Sequence, residues 1–198
     1  MKLNLHHVAL LFLSASVLVS GCADESAPAL VQSARQYVAK NDRVSAVIQL
    51  KAALQKAPES SEARFLLGSV LLDSGDTFAA DVELRKALAL KHPQAQVVPV
   101  LARAMLVAGQ HQKLTAEFAN TDLVDAAAVA DLKTSLAIAF ARQGQSKEAS
   151  VALETALRVD PGYARAKVQQ ARFKAQARDF DGAMALINDL LTKSPNTY

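Results

Sequence analysis

Very few side chains in this 198-residue sequence could carry out chemistry. Beyond residue 21 the only histidines are His92 and His111, and neither is followed at three or four residues by the carboxylate or second histidine of a helical metal site. The sequence has no Gly-rich phosphate loop and no G-x-S-x-G nucleophile motif. Its one cysteine, Cys22, excludes an intramolecular disulfide and a cysteine-based metal site. We therefore expect no catalytic residue, no metal and no cofactor.

The overall composition favours helices and gives no indication of nucleic-acid binding. Hydrophobic residues make up 51% of the chain and aromatic residues only 5%. Alanine and leucine supply most of the apolar content, which favours helices over strands. The formal net charge is only +3 at pH 7, whereas nucleic-acid binders normally carry a clustered basic face. We therefore expect no nucleic-acid partner.

The first 22 residues have the pattern of an export signal. Lys2 provides a positive start, and residues 8–19 form an apolar run without a charge. This run is too short for a bilayer core, which needs about 20 helical residues, but it has the length of the apolar region of a signal peptide. It ends in Val19-Ser20-Gly21-Cys22, which resembles the bacterial lipobox. The alternative is ordinary secretion, which would leave the cysteine as a free thiol.

The lipobox resemblance implies a membrane anchor made of lipid. In such proteins the leader, here residues 1–21, is removed and the cysteine, here Cys22, carries the acyl chains. Several acyl chains hold a protein on a membrane without a transmembrane helix. Residues 22–26 would then form a lipidated tether, and Ala23 after the cysteine implies the periplasmic face of the outer membrane by the sorting rule of enteric lipoproteins.

The remaining sequence repeats with a period of 34 residues. Small and large apolar residues recur together at this spacing: Ala46, Leu50 and Ala53 as Ala80, Leu84 and Ala87, and Ala149, Leu153 and Ala156 as Ala183, Ile187 and Leu190. The period and the residue types are those of the tetratricopeptide repeat (TPR). The pattern predicts an all-α TPR solenoid of about five units, at residues 27–60, 61–94, 95–129, 130–163 and 164–198.

Each unit is predicted to be a helix, a short turn and a second helix. Gly75, Gly109 and Gly144 fall at the same turn, where glycine can adopt the left-handed conformation that ends a helix. Small residues such as Gly68 would let the two helices of a unit approach closely. The unit at 95–129 is degenerate, because Leu114 replaces its alanine and its second helix is expected to end near residue 120.

A closer family resemblance concerns about the first 120 residues. The segments that carry it, together with the lipobox, are Ile48–Pro58, Glu62–Gly68, Glu83–Leu88, Gln96–Leu106 and Gly109–Phe118. They resemble the N-terminal part of the TPR lipoproteins of PEP-CTERM/exosortase systems (the PrsT family). The resemblance implies a role in exopolysaccharide-associated protein sorting or export in a Gram-negative envelope, and it brings no catalytic or ligand-binding motif.

The first helices of stacked TPR units line a concave groove, which is the expected binding surface. The groove positions of the family correspond to six candidate contact residues: Arg35, Phe65, Arg103, Arg142, Arg165 and Arg172. The same surface would include Val31, Val38, Glu62, Ser69, Asp73, Leu106, Asp131, Thr134 and Ile138. Arginine donates paired hydrogen bonds to carboxylates, so an acidic peptide, a protein C-terminus or an anionic polysaccharide is the expected ligand. The alternative is that these arginines are ordinary solvated residues whose stems cover apolar surface.

Three functions remain open at this stage. The first is a lipid-anchored, non-catalytic scaffold that binds protein or peptide partners in exopolysaccharide-associated protein sorting. The second is a TPR lipoprotein that assists another outer-membrane machine, in barrel insertion or in pilus and secretin assembly. The third is an enzyme acting on glycan or peptidoglycan, for which a buried pair of acids would be required.

Overall fold

The computed structural model describes residues 25–193 and consists there of ten α-helices without a strand. The helices are α1 (Ala27–Ala39), α2 (Arg43–Lys56), α3 (Ser61–Asp73), α4 (Thr77–Ala89), α5 (Gln94–Val107), α6 (His111–Phe118), α7 (Ala126–Arg142), α8 (Ser146–Val159), α9 (Ala164–Gln176) and α10 (Phe180–Lys193). They form five consecutive helix pairs. The predicted all-α solenoid is therefore confirmed. Cys22, the leader and residues 194–198 lie outside the described residues.

The turns within the pairs follow the predicted pattern. Gly75, Gly109 and Gly144 all have a positive φ, between 71° and 86°. Asn41 and Arg178 occupy the same place in the first and last pairs with φ values of 59° and 65°. These residues end the first helix in the left-handed conformation, so the backbone reverses direction within a few residues. Each second helix then packs antiparallel to the first helix of its own pair.

Small residues set the distance between paired helices. Gly68 on α3 faces Leu84 on α4 so closely that a Cβ atom added to the glycine would lie 2.6 Å from the Leu84 Cγ atom. Leu84 itself is fully buried. Alanines occupy the matching places in other pairs, and Ala102 and Ala137 are also fully buried. The predicted packing role of these small residues is confirmed, because bulkier side chains would push the axes apart.

The pairs stack so that their first helices lie on one side of the array. The α5 helix contacts both α3 and α7, and α7 also contacts α9. In the described part of the protein, each second helix packs instead on the first helix of its own pair and, where a pair follows, on the first helix of that pair. The first helices are therefore closer to one another than the second helices are, and the array curves towards them.

The third pair departs from the repeat. The α6 helix has only 8 residues, whereas α4 has 13. Pro99 lies inside α5, where it has no N–H for the preceding helical turn. Asp125 caps α7 through the Ala128 amide at 2.8 Å, so this helix begins at Ala126. The unit boundary placed at residue 130 therefore falls one turn inside α7. The short second helix of this unit agrees with the expectation.

None of the helices within residues 25–193 has the length and apolar character needed to cross a membrane.

Candidate functional site

The surface formed by the first helices contains most, but not all, of the predicted groove residues. Val31 and Thr134 were assigned to it, and this assignment is wrong: they are only 5% and 0% exposed. Val31 belongs to the apolar core between the first two pairs. Thr134 lies on a face of α7 that is covered by neighbouring helices, and its hydroxyl donates to the Ala130 carbonyl at 2.6 Å. The spacing of these residues along the helix did not reveal which neighbours cover them.

Asp131 of α7 is the centre of a polar cluster on this surface. It accepts a hydrogen bond from the Arg165 guanidinium at 2.5 Å and lies 3.4 Å from the Nε atom of Arg103. Arg165 also donates to the Ser135 hydroxyl at 2.9 Å. The cluster thus joins α5, α7 and α9. Two guanidinium groups and one carboxylate leave it with one net positive charge.

The cluster is partly shielded from water. The side chain of Asp131 is 14% exposed, and the Nε atom of Arg103 is buried without a hydrogen-bond partner. Tyr163, which precedes α9, lies close enough to Asp131 for this carboxylate to change its pKa. Burial raises the pKa of Tyr163, and the negative charge of Asp131 raises it further. This tyrosine was missed by sequence reasoning because it lies in the turn before the helix.

Arg35 of α1 occupies the other end of the surface. It forms an ion pair with Glu62 of α3 at 2.6 Å, and both side chains are about half exposed. Beside it is an apolar cavity of about 200 Å³ whose lining includes Val38 and Leu66. This end of the surface therefore combines a solvated charge pair with room for one apolar side chain.

Phe65 is only partly available. Its ring stacks on His92 with centroids 4.7 Å apart and planes inclined by 19°. The His92 ring also lies within 3.4 Å of the Ser61 hydroxyl and 3.2 Å of the Gln96 side chain. The sequence placed His92 in a surface turn, and the structure shows that it also links the second and third pairs.

Arg142 and Arg172 are the candidate arginines without an ion pair in the described part of the protein. Both are exposed. Arg172 lies seven residues after Arg165, and therefore on the same face of α9. Arg142 ends α7, eleven residues after Asp131 and on its face. The predicted arginines are thus of two kinds: Arg35, Arg103 and Arg165 are paired within the protein, and these two are not.

Two family models match this chain, and both describe the tetratricopeptide repeat. They match residues 31–88 and 140–197, which together are more than half of the sequence. The chain belongs to the tetratricopeptide repeat family. Neither matching model is that of a catalytic family, and no curated protein sequence matches the chain.

Solved structures of other TPR proteins share this fold. PilF of Pseudomonas aeruginosa is 21% identical with a TM-score of 0.66, over 83% of this chain and 75% of that one. A TPR protein of Thermus thermophilus is 19% identical with a TM-score of 0.67, over 87% and 93% of the two chains. YrrB is 16% identical with a TM-score of 0.57, over 88% and 90%. At these identities the likeness shows the fold alone.

Among the residues that the structure describes, no group of three or more histidine, cysteine, aspartate or glutamate side chains is placed to hold a metal ion.

Away from the groove, Arg85 of α4 binds Glu117 of α6 at 2.7 Å and Asp81 at 3.0 Å. Hydrogen bonds to Glu117 and Asp81 raise the pKa of Arg85 although its burial opposes the shift. This network links α4 to α6 and involves none of the other described second helices.

Proposed function

We propose that this TPR protein is a lipid-anchored scaffold in a bacterial envelope that binds an extended, acidic peptide segment of its partner along the first-helix groove. TPR arrays are protein-interaction scaffolds, and some arginines of the groove form no ion pair with another described residue. The observation that carries the proposal is the exposed Arg172, which has no ion pair within residues 25–193 and follows Arg165 of the net positive Asp131 cluster on the same face of α9.

The charge of the groove supports an acidic ligand. Arg103 and Arg165 share the single carboxylate of Asp131, so each has donors to spare. A ligand carboxylate beside Arg165 and Arg172 would accept charge-assisted hydrogen bonds, which contribute more than neutral ones because the guanidinium is charged. The partly shielded setting of Asp131 would strengthen such contacts further, since less water competes for them.

The two ends of the groove set the expected length and pattern of the segment. The apolar cavity beside Arg35 fits one aliphatic side chain. From α1 to α9 there are four spacings between neighbouring first helices, each of about 10 Å, so the groove is roughly 40 Å long. An extended peptide advances about 3.3 Å per residue, so about 12 residues would bridge the ends. One solved TPR protein of this fold, YrrB, is described as having an unusual peptide-binding site.

We infer the place of action from the leader. The lipobox-like end at Cys22 supports attachment to a membrane by acyl chains, with the groove held near its surface. The resemblance to PEP-CTERM/exosortase lipoproteins supports a role in exopolysaccharide-associated protein sorting. Mass measurement of the mature N-terminus tests the anchor: a diacylglycerol-modified cysteine is expected, and an unmodified thiol would contradict this part of the proposal.

The groove is tested by affinity capture from native envelopes with the lipidated protein. Arg35→Gln combined with Arg172→Gln removes a charge at each end while leaving the Asp131 cluster intact. Arg35 is half exposed, so its loss should leave the fold unchanged. The matched control is Lys51→Gln with Arg158→Gln, which removes two exposed charges from second helices. We expect the groove variant to lose its partner and the control to retain it; equal capture by both would contradict the proposal.

The identity of the captured protein separates the two scaffold functions. Proteins of the exosortase system and of polysaccharide export support the sorting role. Barrel-assembly, pilus or secretin proteins instead favour the assembly-factor alternative. In either case the groove variant must weaken the capture.

A further inference from the structure

A polar cavity lies between the turn of the third helix pair and that of the fourth, and Arg142 at the end of α7 is the one groove candidate that lines it. Its volume is about 680 Å³, which is within the usual range of small-molecule sites. The side chains that line it are Gln110, His111, Gln112, Lys113, Arg142, Gln143 and Gln145. This lining contains two cations and no carboxylate. It also contains no aliphatic or large aromatic side chain.

The cations of this cavity are not neutralised by neighbouring side chains. Lys113 is exposed, as is Arg142, and neither forms an ion pair within the residues that the structure describes. The nearest acidic residues in sequence are Glu117, which pairs with Arg85, and Glu148 in the first turn of α8, which lines a different cavity. The potential in the cavity is therefore positive.

The helix ends at the cavity differ from those of the other pairs. The second helices of the first, second and fifth pairs are preceded by Asp42, Asp76 and Asp179, whose carboxylates accept a backbone N–H of the first turn at 2.9–3.0 Å. Gln110 and Gln145 take this place before α6 and α8, and neither makes a capping hydrogen bond. A helix N-terminus without a cap attracts anions through its free N–H groups and its dipole.

Two buried atoms of the lining residues also lack partners. The Oε1 atom of Gln110 and the Nδ1 atom of His111 are both buried and have no hydrogen bond. Leaving a buried polar atom unsatisfied is costly, so such atoms indicate a missing partner. Both residues belong to the cavity lining, beside the two uncapped turns and the unpaired cations.

The cavity is held in shape by Gln143. Its amide donates to the His111 carbonyl at 3.2 Å and to the Thr115 hydroxyl at 3.1 Å. These bonds tie the end of α7 to the start of α6. The two turns are therefore fixed relative to one another before any ligand arrives, which lowers the entropy lost on binding.

From this geometry we propose that the cavity binds an acidic saccharide, through a carboxylate on Lys113 and Arg142 and through hydroxyl groups on the glutamines and His111. The carboxylate supplies the charge that the uncapped helix ends and the cations attract. Glutamine side chains both donate and accept, as sugar hydroxyl groups require. A peptide ligand is disfavoured because the lining contains no aliphatic side chain that its apolar side chains could contact.

This inference goes beyond the groove and does not depend on the groove binding a peptide. The probe is a linear trimer of galacturonate, added to the isotope-labelled mature protein while amide NMR signals are recorded. We expect saturable shifts at residues 109–113 and 142–146. Maltotriose has a comparable size and no charge, and we expect it to cause no shifts there.

Two variants separate binding from folding. Lys113→Gln with Arg142→Gln should weaken the affinity for the trimer by about tenfold or more, because two charge-assisted contacts are lost. Gln110→Asp with Gln145→Asp places before α6 and α8 the aspartate that precedes the second helices of the first, second and fifth pairs. This double substitution should abolish binding of the trimer, because the new carboxylates repel it. It should also raise the melting temperature, because the same carboxylates cap the helices. The control Lys51→Gln with Arg158→Gln should bind as the parent does.

Three results would overturn the inference. The first is an absence of shifts with the trimer at saturating concentration. The second is unchanged affinity in either cavity variant. The third is equal binding by N-acetyl-trialanine, whose C-terminal carboxylate would show that the cavity recognises the charge alone. Each concerns the turn cavity, whereas the proposed scaffold function fails only if capture is insensitive to Arg35 and Arg172.

Discussion

The second and third helix pairs are neighbours in the sequence but satisfy their polar groups differently. In the second pair Asp76 caps α4, and Arg64 binds Glu83 at 2.6 Å between the paired helices. In the third pair α6 is short and uncapped, and Gln110 has a buried oxygen without a partner. The regular pair thus caps its second helix, although the Oδ1 atom of Asp81 is buried without a hydrogen-bond partner, whereas the degenerate pair leaves its second helix uncapped. Departures from a repeat are therefore the places to search for function.

The largest expected effect in this comparison comes from removing the last buried apolar side chain of the short second helix, α6. Phe118 is 5% exposed and ends α6, whereas Leu84 is followed by another buried residue, Ala87, on α4. Phe118→Ala should lower the free energy of unfolding by about 3–5 kcal/mol and release α6. Hydrogen exchange should show lost protection in α6 and intact protection in α3 and α4. Retained protection of α6 would contradict the view that α6 needs Phe118 in addition to the buried Leu114.

A second test concerns the close approach of the paired helices. Gly68→Ala places a methyl group against the Leu84 side chain and should lower the free energy of unfolding by about 1–3 kcal/mol. Ala102 is the matching residue of the third pair, and Ala102→Gly should cost about 1 kcal/mol through helix propensity alone. Denaturant unfolding of both variants measures the difference. A stabilised Gly68→Ala protein would show that the contact is not tight.

The internal ion pair of the second helix pair predicts a pH dependence. Burial alone would raise the pKa of Glu83, but hydrogen bonds from Arg64 and Lys86 lower it below its usual value of 4.5. A lowered folded-state pKa contributes stability above pH 4.5, and this contribution disappears as pH falls through the folded-state pKa. Glu83→Gln should therefore cost about 1–2 kcal/mol at pH 7 and progressively less in acid. A cost independent of pH would contradict this sign.

The smallest expected effect concerns the helix caps. Asp76→Ala removes a carboxylate that accepts from the Ala79 amide and should cost about 1 kcal/mol. Gln110→Ala removes a side chain that makes no capping bond and should change stability by less than about 0.5 kcal/mol. Thermal unfolding of the two variants gives the comparison, and equal losses would show that Gln110 already stabilises its helix.

Much of the fold could be predicted from the sequence because the same pattern of small and large apolar residues recurs in successive units. The spacing of Leu50, Leu84 and Leu153 located the second helices, and all three are buried. The glycines located the turns. The start of α7 was missed because its cap, Asp125, lies in a segment that departs from the repeat.

The groove was predicted less completely, because spacing assigns a face of a helix but not the contacts of its side chains. Arg103 and Arg165 were correctly placed on the first-helix surface, yet only the structure shows that they share Asp131. The burial of Thr134 depends on the neighbours of α7, which the periodicity of one helix does not contain. The aspartates before three of the second helices were visible in the sequence, and comparing them with Gln110 and Gln145 would have identified the two uncapped turns that line the cavity.

The most direct test of the scaffold function is hydrogen exchange of the mature lipidated protein, with and without its captured partner. We expect slower exchange in the first helices α1, α3, α5, α7 and α9, with little change in α2, α4, α8 and α10. Slowing confined to the second helices, or no slowing in any helix, would contradict binding along the groove.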